Sequence, residues 1–174
     1  MHTRLGQIGF LSRGWGHCWI VVMHDPASAI ERIIQDIERA ISVRLYYPAL
    51  LMTLTLPEIC MGLTLQKSNF VKRDHYVSFV DNYTTEGELG LDGASCYQLR
   101  GGLVHRADLT GHAYFPNTHV VFTVPETHSS IHALSIISGD KSASMFDLQL
   151  FCAAMIKAAR AWYDEVVPAF ETGA

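Results

Sequence analysis

The chain has 174 residues, of which 49% are hydrophobic and 17% charged, with a formal net charge of −4. That length suits one domain with a single core, and a mean hydropathy of +0.15 predicts that a partner copy covers some apolar surface. The charge excludes a general basic field for nucleic-acid backbone, so any RNA contact is local. Cys18, Cys60, Cys96 and Cys152 form no C-x-x-C pair, and the longest purely apolar run near the start, Cys18 to Met23, is far too short to cross a bilayer. The composition therefore predicts reduced thiols, no metal, no cofactor, no membrane association and a cytoplasmic protein.

Residues 1–22 mix glycines with Trp15 and Trp19 and show neither helical nor strand period, which predicts a poorly ordered N-terminal arm ahead of one domain at 23–174. An alternative start at Met23 fits this division. Asp25 followed by Pro26 is a helix-opening signal, and Ile30, Ile33, Ile34, Ile37 and Ile41 recur at helical spacing, predicting a first helix over 26–43. A nearly uncharged segment over 46–65, with Glu58 its one charge, predicts a central helix that Pro57 kinks or splits. Tyr76, Phe79, Val80 and Tyr83 form the stripe of a third helix over 71–83, followed by a glycine-containing connector over 84–91. Asp92 is placed to cap a fourth helix.

Beyond Ala107 the period changes. Residues 119–124 and 131–137 read as two short strands, predicting a β-hairpin. Ser144 with Asp147 offers a capping pair for a final helix carrying Leu148, Phe151, Met155, Ala158, Trp162 and Val166, which Pro168 ends.

The fourth helix carries Tyr97-Gln-Leu-Arg-Gly-Gly-Leu-Val-His105, in which Arg100 and His105 are separated by four residues. This R-x4-H spacing, in a chain of four to five helices, resembles the HEPN superfamily over roughly residues 25–167. Together with Leu91-Asp-Gly and Asp147-Leu-Gln-Leu-Phe-Cys152, the stretch also looks like a family of small bacterial proteins. The resemblance implies a mainly α, HEPN-like four-to-five-helix bundle with a small β-hairpin before the last helix. It further implies a homodimer with a composite site that cleaves RNA without a metal in stress or phage defence, and an antitoxin-type partner. Arg100 would hold the scissile phosphate and His105 would transfer protons, roles for which a bidentate guanidinium and a near-neutral imidazole are suited.

The residues leave an alternative open, a non-enzymatic helical dimerisation or interaction module in which Arg100 and His105 are structural. Arg106 and His112 make a second match, with five residues between. Gly101 and Gly102 loosen the helix by about 1 kcal/mol each relative to alanine, or admit a close partner. His75, His119, His128 and His132 lack metal-ligand spacing and read as surface or strand-edge residues.

Overall fold

The computed structural model describes residues 26–66, 69–109, 118–124 and 131–171. Its order is α1 (Pro26–Ser42), α2 (Tyr46–Thr64), α3 (Arg73–Tyr83), the single turn α4 (Glu86–Leu89), α5 (Gly93–Arg106), β1 (Thr118–Thr123), β2 (Leu134–Ser138), β3 (Lys141–Asp147) and α6 (Leu148–Glu171). The described part is thus mostly helical with a small sheet. The predicted arm over 1–22, Asp25 and His128 lie outside the described residues.

The helical stripes become the core. Ile30, Ile34 and Ile37 of α1 meet Leu50, Leu54 and Leu56 of α2, and Phe151, Met155, Ala158 and Trp162 of α6 are buried with them. Tyr76, Phe79 and Val80 bring α3 into the same core, as their spacing predicts. Thr53 is buried within α2 and donates to Cys152 Sγ on α6 at 3.2 Å, so even the polar group at that crossing is satisfied.

Of the two outcomes expected at Pro57, a split is corrected, since α2 runs unbroken from Tyr46 to Thr64. Pro57 removes one backbone donor, yet the surrounding turns are buried on both sides, and the hydroxyl of Tyr76 donates to the Leu54 carbonyl at 2.8 Å beside the interrupted ladder. Likewise, the last helix passes position 168 and continues to Glu171.

The hairpin expectation is corrected as well. The two predicted strands do not pair with each other; the sheet order is β1-β3-β2, with β1 parallel and β2 antiparallel to β3. Residues 141–147 are a third strand, and Ser144 lies inside it rather than at a helix cap. Asp147 alone caps α6, its Oδ1 accepting from the amides of Gln149 at 2.8 Å and Leu150 at 3.0 Å. Val120 and Phe146 turn inward from the sheet, with Phe122 edge-on to Phe151 of α6 at 5.2 Å between ring centroids.

Candidate functional site

Helix α5 is positioned from both ends by its own sequence. At its start Asp92 accepts from the amide of Ser95 at 2.7 Å, and Asp81 of α3 accepts from the amide of Gly93 at 2.8 Å. A Cβ on Gly93 would come within 2.6 Å of the Val77 carbonyl, so only glycine lets α5 lie this close to α3. At the other end Ala107 takes a left-handed conformation (φ +51°), its amide bonds the Leu103 carbonyl at 3.1 Å, and the amide of Asp108 bonds the Gly102 carbonyl at 3.3 Å. The returning chain fills the space where a Gly102 side chain would stand, since a Cβ there would meet the Asp108 carbonyl at 2.6 Å. Gly102 thus serves the helix cap of its own chain. Gly101, by contrast, has open space where a Cβ would stand, among the described residues.

Arg100 points into the junction of α2, α3 and α5. Its guanidinium forms an ion pair with Glu58 of α2, and the side chain is only 19% exposed. The charged group lies 5.9 Å from the centroid of the Tyr97 ring, at the outer range of a cation–π contact. Tyr97 in turn meets Tyr76 edge to face at 5.4 Å. Burial pushes the Tyr76 hydroxyl well above its ordinary titration range, with Cys96 and Glu58 adding to the effect and Arg100 opposing it. The Nε of Arg100 is buried and has no hydrogen-bond partner among the described residues.

His105 goes elsewhere. The two positions are five apart in sequence, which places them about 140° apart around an α-helix. His105 is exposed in the last turn beside Arg106 and Val104, and among the described residues it makes no hydrogen bond or ion pair. Its basic neighbourhood suits the carbonyl end of a helix. Nearby, the half-exposed Tyr47 donates to the Leu103 carbonyl at 3.1 Å, tying the start of α2 to the end of α5.

The single chain therefore does not bring Arg100 and His105 together. What it assembles around Arg100 is Glu58, Tyr97 and Tyr76. Glu58 was the visible signal, being the one charge in an otherwise apolar helical segment, but its partner 42 residues away was not legible without the packing of α2 on α5. A phosphate approaching Arg100 would meet the Glu58 carboxylate, which repels it.

The remaining candidates have local roles. His75 Nδ1 accepts from the amide of Lys72 at 3.2 Å, at the start of α3. His132 Nε2 lies 2.8 Å from the Glu88 carbonyl, linking the sheet to α4, and its ring is 6.0 Å from Phe146. His119 is exposed on β1, and His112 of the second R-x-H match lies outside the described residues. Among the described residues no group of three potential metal ligands occurs. Cys60, Cys96 and Cys152 are free and buried; burial pushes Cys60 up to about 12 and Cys152 up to about 11, so neither is a nucleophile near neutrality. No helix among the described residues is long and apolar enough to cross a membrane.

Comparisons of the chain with protein-family models, with curated proteins and with solved structures gave no match.

Proposed function

We propose that this chain is a helical dimerisation or interaction module, a HEPN-like relative whose Arg100 is structural rather than catalytic. The observation that carries this reading is the ion pair of Arg100 with Glu58 beneath the Tyr97 ring, on a different face of α5 from the exposed His105. A half-buried, neutralised arginine fixes α5 against α2. It is poorly placed to clamp a scissile phosphate.

A second reading, a metal-independent endoribonuclease with RNA as substrate and an antitoxin-type protein as partner, draws support from His105 itself. Its imidazole is exposed and unengaged among the described residues, so a second copy of α5 in a homodimer could stand beside it. In that reading the Arg100–Glu58 pair must open for Arg100 to reach RNA.

Denaturation of Arg100→Ala and His105→Ala side by side tests the proposal. The module reading expects a loss of about 1–3 kcal/mol for the first, from an orphaned Glu58, and less than about 0.5 kcal/mol for the second. Equal, small effects at both positions would remove the structural role assigned to Arg100.

A further inference from the structure

We propose that the free edge of β2 pairs with β2 of a second copy of this chain, joining two three-stranded sheets into one of six strands across a two-fold axis. The inference does not depend on whether α5 is catalytic.

Among the described residues β3 lies between β1 and β2, so the outer side of β2 carries no strand. All five residues of β2 are exposed, with Leu134 at 44%, Ile136 at 49% and Ile137 at 77%. Natural sheets guard such edges with lysine, inward charge, proline or a bulge. Leu-Ser-Ile-Ile-Ser has no charge and no proline, and its register with β3 runs without interruption from Leu134↔Met145 to Ser138↔Lys141. Among the described residues nothing pairs with this edge.

The backbone sets which groups are offered. Ser138 and Lys141 flank the two-residue turn Gly139-Asp140, so they are the hydrogen-bonded pair that closes the hairpin. By alternation Ile136 and Leu134 also bond to β3, which leaves the amides and carbonyls of Ser135 and Ile137 facing the free side. The extended stretch is bounded by positive φ at both ends, +54° at Ala133 and +62° at Gly139. A two-fold normal to the sheet brings together only residues of the same face. The one register that matches the whole strand to its copy therefore centres on Ile136. It sets Ile136 against Ile136 of the second copy and Ser135 against its Ile137, and about four main-chain hydrogen bonds follow from alternation.

Side chains favour the same occupant. On the outward face Val121, Met145 and Leu134 share one row, and Ala143 and Ile136 the next, which ends at His119 of β1. Two-fold pairing runs the Ala143–Ile136 row into the same row of the second copy, covering Ile136 and part of Ile137, while Leu134 comes to lie beside Ser138 of the second copy. A strand from another protein offers the same backbone, but a second copy brings an uncharged edge of identical length with a matching apolar face. Five paired residues span only about 17 Å. The buried area then falls below the roughly 1,200 Å² of a stable interface, so the pairing is weak and concentration-dependent.

Sedimentation velocity on the full chain over a concentration series, combined with amide hydrogen exchange, tests the pairing. The expected result is reversible dimerisation that Ile136→Lys weakens by about tenfold or more, because its like charges meet across the axis, and that Ile137→Lys weakens by a smaller factor, because it sets a charge beside Ser135 of the second copy in place of a part-covered apolar side chain. Leu63→Lys, at an exposed position on α2, should leave it unchanged. Exchange on the unmodified chain should slow at Ser135 and Ile137 as concentration rises. A chain that stays monomeric throughout, or a dimer indifferent to both lysine variants with no change at those two amides, overturns the inference.

Discussion

Arg100 on α5 and Glu58 on α2 form an ion pair that joins two helices across the core, with Tyr97 over one side of the guanidinium. Taking away either partner leaves a charge with little water to replace it. Arg100→Ala or Glu58→Ala should each lower stability by about 1–3 kcal/mol, the charge left behind costing somewhat less in Arg100→Ala, because the orphaned Glu58 is 35% exposed against 19% for Arg100. The double replacement Arg100→Met/Glu58→Leu should recover most of the loss, since an apolar pair of similar volume needs no compensation. Urea denaturation of the four proteins measures this as a double-mutant cycle.

The two close glycines of α5 differ in sign from the open one. Gly93→Ala would drive a methyl group into the Val77 backbone and push α5 off α3, at a cost of about 1–3 kcal/mol. Gly101→Ala meets nothing and should stabilise the helix by up to about 1 kcal/mol. Thermal melts of the two variants separate these outcomes. A destabilised Gly101→Ala would mean that this face of α5 is covered by a partner.

That contrast also shows what the sequence could and could not disclose. Helix α1 and the core face of α6 were legible because Ile30, Ile34 and Ile37, or Phe151, Met155 and Trp162, repeat at the helical period whatever surrounds them. The strand β3 was not, because Lys-Ser-Ala-Ser-Met-Phe-Asp has few β-branched residues and its pairing to β1 is long-range. The continuity of α2 through Pro57 was hidden for the same reason, since burial on both sides outweighs the lost bond. For the candidate site, the sequence singled out Arg100 but not the Glu58 with which it pairs.

Asp147 closes the sheet and opens α6 with one side chain. Asp147→Ala should cost about 1–2 kcal/mol, because the amides of Gln149 and Leu150 lose their acceptor at a buried helix start. Asp147→Asn should retain part of the cap. Denaturation midpoints of both variants check the ordering.

Alkaline pH should unfold the chain through its thiols. The ordinary cysteine value is 9.0, and burial raises Cys60 to about 12 and Cys152 to about 11, with Cys96 and Tyr76 also raised. These groups keep their protons in the folded state after the unfolded chain begins to lose them. Their contribution is complete below about pH 9 and is lost as pH climbs through the folded values. Stability should therefore fall between roughly pH 9 and pH 12, and alkylation at about pH 8 should spare Cys60, Cys96 and Cys152 until denaturant is added.

If Arg100 and His105 belong to a structural helix, as proposed, the chain should not cleave RNA. Incubation of the unmodified chain and His105→Ala with a mixed RNA pool, with and without chelator, measures it most directly. The expected result is intact RNA with both proteins and the same melting temperature for both. Chelator-resistant cleavage by the unmodified chain, lost in a His105→Ala protein of undiminished stability, would contradict it.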